Sequence, residues 1–501
     1  MEWTKEERYR RLEDTDPDEI SGLAARVARC PWRQGYHIQP ETGLLNDPNG
    51  FAFFHEEYHL FYQWFPLGPV HGLKYWYHTS SPDLVHWTNR GVALKPDRDF
   101  DSHGVYSGSA IEHNGRLYLM YTGNTRDKSW ERMPYQCMAQ MERDGRIHKF
   151  SSPVISGPPS GYTDHYRDPK VWKQKNCFYA VIGAQRSNLT GCAMLYRSID
   201  LYKWEEVGEL HTRLSDFGYM WECPDYFEFD GQGVLCFCPQ GAKLNDPGNI
   251  YPSGYVIGDP LNVETGEFRH GNFRLLDRGF DFYAPQTTLT PDGRRILVGW
   301  MGLPDIVYPT DDHGWAHCLT LPRELRVEDG RLYQVPVREL QAIRGRERFA
   351  DGKISNDTLS PAGFAGSRYE LIIEFNNVDA VEFGIRLRTG EEEGTNLVCN
   401  TRESRLMLDR TLSGRPIAEE FGTVRSCKVN PLAVKLHLFM DTSSVEVFVD
   451  DGREVFTARI FPHEESRGFS IFAKGGDVLY RANMWAIEVE GSQLNVLGTG
   501  G

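Results

Sequence analysis

A chain of 501 residues is too long for one ordinary hydrophobic core, so two domains are expected. Its formal net charge of −15 excludes the broad positive footprint that nucleic acid or an anionic membrane surface requires. An aromatic content of 13%, with 12 Trp and 24 Tyr, suits β-rich structure and sugar-facing surfaces.

At the N-terminus, MEWTKEERYRRLEDTD carries charges where a signal peptide has its apolar core, and no later stretch approaches the roughly 20 apolar residues of a membrane span. A cytoplasmic location is the expectation. Residues 4–30 read as helical. Thr4 with Glu7 fits a capping box, and a second run from Glu19 to Cys30 stops at Pro31. Residues 1–35 are therefore expected to form a helical appendage packed on the main body.

From Tyr36 to about Pro336 one pattern repeats. Apolar hairpins begin at residues 51, 111, 171, 227 and 287, at spacings of 60, 60, 56 and 60 residues. Two-strand units repeated at a fixed period point to a β-propeller, here with five blades of four strands over residues 36–340. A second echo supports the repeat: Ser81-Pro82-Asp83-Leu84-Val85-His86-Trp87 recurs as Ser198-Ile199-Asp200-Leu201-Tyr202-Lys203-Trp204. After Leu340 the pattern becomes period-two alternation, as in ValGluPheGlyIleArgLeu (381–387) and ValGluValPheVal (445–449), with an Asp-Gly turn at 451–452. Antiparallel strands with one buried face follow, most simply a β-sandwich over 346–491. The predicted fold class is all-β: a five-bladed propeller, then a sandwich. The ten cysteines form no C-x-x-C pair and read as free thiols.

The chemistry lies in what precedes each hairpin: Asp47-Pro48-Asn49-Gly50, Ser107-Gly108-Ser109-Ala110, Arg167-Asp168-Pro169-Lys170, Glu222-Cys223-Pro224-Asp225 and Ala284-Pro285-Gln286. Taken singly, the first is a turn and the third a surface ion pair. Taken in phase, they converge on the propeller axis and bring three carboxylates into one pocket. Two carboxyl groups flanking a bond, one ionised and one protonated, are what glycoside cleavage needs. Asp47, beside Asn46, Asn49 and the backbone donors of a turn, suits the ionised nucleophile. Glu222, between Trp221 and Cys223, is expected in an apolar setting that keeps it protonated. Asp168 is a third charge held ionised by Arg167.

His37-Ile38-Gln39-Pro40-Glu41-Thr42-Gly43-Leu44-Leu45-Asn46-Asp47-Pro48-Asn49-Gly50 resembles the opening signature of glycoside hydrolase family 32, the invertases, levanases, inulinases and sucrose-6-phosphate hydrolases. Tyr106-Ser107-Gly108-Ser109, Arg167-Asp168-Pro169, Glu222-Cys223-Pro224-Asp225, Asp281-Phe282-Tyr283-Ala284-Pro285-Gln286 and Leu321-Pro322-Arg323-Glu324-Leu325 resemble its further signatures in order. The resemblance implies retaining hydrolysis of β-fructofuranosides without a cofactor. It makes Asp47 the nucleophile on the fructosyl C2, Glu222 the acid and then base, and Asp168 the stabiliser of the oxocarbenium-like transition state. By the same resemblance Asn46, Gln63, Trp76, Tyr106, Ser107 and Arg167 contact substrate. Leu44-Leu45 stands where the family usually has Trp-Met, and Tyr106 where it has Phe, which bears on fine specificity rather than on the reaction.

A small-molecule sugar is thus the expected partner, with sucrose 6-phosphate or sucrose foremost. Short-fructan hydrolysis, fructosyl transfer and, in a different class, an inactive sugar-binding protein are the alternatives. The 16 His show no H-E-x-x-H, so no metal is expected. A phosphorylated leaving group needs a local basic rim. Lys74 and His71 are the first candidates, with Arg126 and Arg186 as further ones. The sequence leaves a homo-oligomer open, and packing or oligomerisation is the role expected of the sandwich.

Overall fold

The computed structural model describes residues 2–244 and 249–488. The expected sandwich limit of 491 falls outside them. Five four- or five-stranded antiparallel sheets come first, then two six-stranded sheets. The innermost strands of the five are Gly43–Phe54, Val105–His113, Tyr162–Gln174, Met220–Phe229 and Tyr283–Leu289. Ring closure comes from Trp315–Ala316, which leaves the fifth blade and pairs in parallel with Gly43 and Leu44 of the first.

The acid-bearing segments were expected just before these strands. They lie within them, each at a register shift: between Leu45 and Pro48, Val105 and Gly108, Arg167 and Lys170, Glu222 and Asp225, and Tyr283 and Gln286. Pairing resumes beyond each bulge, so the strand continues while the bulge re-aims its side chains. Pro48, Pro169, Pro224 and Pro285 sit at four of the bulges, where a missing N–H costs no ladder bond. In the second blade the place is taken by Gly108, where an added Cβ would lie 1.9 Å from the Met120 carbonyl oxygen.

The residue after each of these five positions ties neighbouring blades together. Asn49 Oδ1 accepts from Gly108 N at 2.9 Å, and Ser109 Oγ donates to Pro169 O at 2.8 Å. Lys170 Nζ donates to Asp225 Oδ2 at 2.9 Å, which also accepts from Thr287 N at 2.7 Å. Gln286 completes the circle by accepting from Phe51 N at 2.8 Å. Buried polar groups satisfied in this way fix the blades' phase around the axis.

The repeated Ser-x-Asp-Leu-x-x-Trp motif makes one turn twice. Asp83 Oδ1 and Asp200 Oδ1 each accept two backbone N–H groups, and Trp87 and Trp204 each donate to the carbonyl of a leucine held at φ 68°. In the N-terminal segment the Thr4–Glu7 capping box forms, but over a helix of one turn, Lys5–Arg8. The second helix starts earlier than expected, at Pro17 behind an Asp16 cap, and buries Ile20, Leu23 and Val27. Among the described residues no helix is long and apolar enough to cross a membrane.

In the sandwich, strands such as Tyr369–Asn376 and Val434–Asp441 face Glu382–Thr389 and Gly394–Asn400 across a core that includes Leu371, Ile373, Ile385, Leu397, Leu438 and Ile471. The link to the propeller combines apolar packing, in which Phe439, Phe448 and Val455 join the propeller core, with a buried polar cluster. His37 Nδ1 bonds Asp441 at 2.7 Å and Nε2 bonds Glu446 at 3.0 Å, while Arg323 reaches both Glu446 and Asp277. Burial alone would lower the His37 pKa, but its hydrogen bonds to Asp441 and Glu446 outweigh that and raise it to about 9. The His37 contribution is complete below its unfolded pKa of about 6.5 and disappears as pH rises through about 9. The two carboxylates are held below their ordinary range despite burial, Asp441 mainly by its His37 bond and Glu446 mainly by the Arg323 charge and then by His37, so they contribute above about pH 4 and lose it on acidification. His37→Ala, which leaves both acids without this partner, should cost about 3–5 kcal/mol near pH 6. Calorimetry should show the gap to wild type narrowing towards pH 10, and a constant gap would contradict the assignment.

Candidate active site

Aligned on the bulge position, the five inner strands place Asn46, Tyr106, Arg167, Glu222 and Tyr283 two residues before it, and Asp47, Ser107, Asp168, Cys223 and Ala284 one before. The three acids come from these two tiers, together with Asn46, Ser107, Arg167 and Tyr283 among their partners. Asp168, Cys223 and Ala284 hold φ of 69°, 48° and 47°, a region that costs L-residues energy and here aims the acid tier at the axis.

Asp47 is oriented by a closed circuit. Asn46 Nδ2 donates to Asp47 Oδ1 at 3.1 Å and to Gln63 Oε1 at 3.0 Å. Gln63 Nε2 donates to Ser107 Oγ, whose hydroxyl donates to Asp47 Oδ2. Lys74 Nζ completes the support, donating to Asn46 Oδ1 at 2.7 Å. Burial, with the charge of Glu222 adding to it, raises the Asp47 carboxyl above its ordinary pKa although Ser107 and Asn46 pull the other way.

Asp168, expected to be held ionised by Arg167, is instead raised to about 7 by burial. Arg167 opposes this, while Glu222 and Asp47 reinforce it. Its Oδ2 accepts from Cys223 N at 3.0 Å. Asp47 and Asp168 are buried together and the Asp47 charge disfavours ionisation of Asp168, so this pair titrates above the usual carboxylate range.

The setting of Glu222 differs from expectation. Trp221 points away, its Nε1 donating to Phe217 O at 2.7 Å and its ring packing on Phe237. Glu222 is instead ringed by donors: Arg167 Nε and Nη2 to Oε1 at 3.1 and 2.7 Å, and the Tyr283 hydroxyl to Oε2 at 2.7 Å. The bulge that begins at Glu222 re-aims the side chains along this strand, so flanking residues do not report the polarity around the carboxylate.

Trp76, Lys74, His71 and Arg186 also depart from expectation. Trp76 is fully buried, with its ring against Phe61 and Tyr121 and its Nε1 donating to Tyr106 O at 3.0 Å, so it supports Tyr106 from behind. Lys74 is no rim cation. At 4% exposure it lies beneath Asn46, and burial lowers its pKa to about 7 against the pull of Asp47. His71 packs edge-on to Trp300, with burial holding it neutral, and Arg186 is neutralised by Glu209. Trp300 and Trp64 are buried, and Trp64 donates to Thr42 O at 2.6 Å. Tyr283 and Cys223 went unassigned in the sequence, although blade alignment on the bulge finds both.

Asp47, Asp168 and Cys223 offer donor atoms within 4.8 Å of one another, the geometry of a metal cluster. The Cys223 thiol is pushed well up by burial and the adjacent carboxylates, so it stays protonated and is a poor metal ligand. All ten cysteines are unpaired.

A five-bladed propeller with three axial carboxylates, followed by a sandwich, defines a class of glycoside hydrolase. The family models agree: "Glycosyl hydrolases family 32 N-terminal domain" matches residues 37–336 and "Glycosyl hydrolases family 32 C terminal" matches 339–486. The chain belongs to glycoside hydrolase family 32. It is 49% identical over 477 residues to a sucrose-6-phosphate hydrolase of Staphylococcus xylosus, covering 95% of this chain and 96% of that protein. It is 40% identical over 454 residues to one from Bacillus subtilis strain 168, covering 89% and 92%. The solved structure of sucrose-6-phosphate hydrolase from Lactobacillus gasseri superposes with a TM-score of 0.91 at 38% identity over 97% of this chain and 99% of that one. A Bombyx mori beta-fructofuranosidase gives a TM-score of 0.80 at 31% identity over 96% and 100%.

Proposed function

We propose that this protein hydrolyses terminal β-D-fructofuranosides with retention, and that sucrose 6-phosphate is its preferred substrate, ahead of sucrose. The observation that carries the reaction is the Asp47 circuit facing a donor-held Glu222, both on one propeller axis. The names of the relatives support the phosphorylated substrate.

Asp47 attacks C2 of the fructosyl unit while Glu222 passes a proton to the departing glycosidic oxygen, giving a fructosyl ester and a free glucosyl product. Glu222, now ionised, takes a proton from water as its oxygen attacks C2, and Asp47 leaves as carboxylate. Asp168 accepts from fructose hydroxyls and faces the positive charge that develops at C2. Asn46, Gln63 and Ser107 hold the Asp47 oxygens on line, Lys74 and Trp76 position that frame, and Arg167 and Tyr283 fix Glu222.

Incubation with sucrose, its 6-phosphate, inulin and levan tests the reading. Fructose should be released fastest from sucrose 6-phosphate, by a kcat/KM margin of at least about tenfold over sucrose. Preferential release from inulin or levan would contradict it.

A further inference from the structure

Arg126 and Arg132 close the hairpin between Arg116–Arg126 and Arg132–Met141, and they face each other directly across it. Like charges directly opposite on paired strands destabilise a hairpin. Two other arginines nearby are neutralised, Arg167 by Glu222 and Arg186 by Glu209. Among the described residues neither Arg126 nor Arg132 forms an ion pair, and the Nε of each is buried without a hydrogen-bond partner. Arg126 Nη1 donates only to Trp130 O at 2.9 Å, and Arg132 Nη1 lies 3.5 Å from His165 Nδ1. In a chain of net charge −15, these two facing guanidinium groups make no ion pair among the described residues, and Asp164 draws on Arg132 only from beyond ion-pair distance.

Their position connects them to the reaction. His165 Nδ1 is 3.1 Å from Arg167 Nη1, and Arg167 grips Glu222, so a continuous line of contacts runs from the acid to Arg132. Both arginines act on the Tyr106 hydroxyl, on the wall tier next to Ser107. The N-terminal segment covers the far side: Lys5 Nζ sits 3.0 Å from the centre of the Trp130 ring, which Tyr9 meets edge-on. All of this flanks Glu222, on whose side the leaving group departs.

We infer that the Arg126–Arg132 hairpin is the phosphate-recognition site of this enzyme, receiving the 6-phosphate of the glucosyl leaving group. It rests on the substrate reading above and replaces the rim of His71, Lys74 and Arg186. Paired guanidinium groups match phosphate oxygens in geometry and charge, and a dianion removes the cross-hairpin repulsion.

The test compares wild type with the Arg126→Ala/Arg132→Ala double variant on sucrose 6-phosphate and sucrose, with glucose 6-phosphate and glucose as competitive inhibitors of sucrose hydrolysis. The kcat/KM ratio favouring the phosphorylated sugar should fall by about 30-fold or more, mainly through KM, and the inhibition constant of glucose 6-phosphate should rise in step while that of glucose stays level. Arg126→Lys/Arg132→Lys should recover part of the ratio, which a merely structural role would not predict. A wild type that prefers the phosphorylated sugar, with a double variant that keeps the preference or loses both substrates equally, overturns the inference alone. A wild type indifferent to the phosphate overturns the substrate reading with it.

Discussion

Asp47→Asn should fold as the wild type does and lose about four orders of magnitude or more in kcat on every fructoside. An amide cannot form the fructosyl ester, and nothing else in the site replaces it: Asp168 is committed to Cys223 N, and Glu222 to Arg167 and Tyr283. Folding should survive because the substituted side chain keeps its oxygen for the Asn46 donor, and its new Nδ2 can donate to Ser107 Oγ once that hydroxyl turns. Removing a buried charge also relieves the repulsion from Glu222 that raises the Asp47 carboxyl. The melting temperature should therefore hold or rise while turnover collapses. A folded variant with activity within tenfold of wild type would remove Asp47 from the mechanism.

The second large effect belongs to Glu222→Gln. Proton transfer by a positioned acid is worth roughly 10²–10⁴ in rate. The loss should reach that range on sucrose and shrink for a fructoside whose leaving group departs without a proton. Azide, which attacks without deprotonation, should then restore turnover and yield fructosyl azide. In wild type the acidic limb of kcat/KM should lie above the ordinary carboxylate range of about 4, because burial and mutual charge raise both Asp47 and Asp168. The alkaline limb should vanish in the Gln variant. An unchanged pH profile would show that the proton comes from elsewhere.

These effects fall on residues legible in the sequence, because each acid recurs in phase with an apolar hairpin. Phase is a local property that survives without coordinates. The bulges were legible only as Pro and Gly turn signals, and a bulge within a strand uses the same residues as a turn before it. Burial in the connection after Gln63 was not legible. Lys74 and His71 occupy a segment with neither strand nor helix periodicity, so nothing distinguishes a cation beneath the nucleophile from one in solvent. Trp76 failed for a related reason: alternation assigns a face but not which face meets the pocket. The clamp of His37 on Asp441 and Glu446 spans 404 and 409 residues, a pairing that no local pattern encodes. The turn of Trp221 away from Glu222 follows from the bulge there and was no more legible than the bulge itself.

A covalent fructosyl–Asp47 intermediate is central to the mechanism, and the direct measurement is its capture. Glu222→Gln, fed a fructoside with a leaving group that needs no proton, should complete the first step and stall before the second. After acid quench and proteolysis, mass spectrometry should find one added fructosyl unit on the peptide containing Asn46-Asp47-Pro48, and none when Asp47→Asn is introduced as well. Substrate turnover by the Glu222→Gln enzyme with no labelled peptide, or a label on the peptide bearing Asp168, would contradict it.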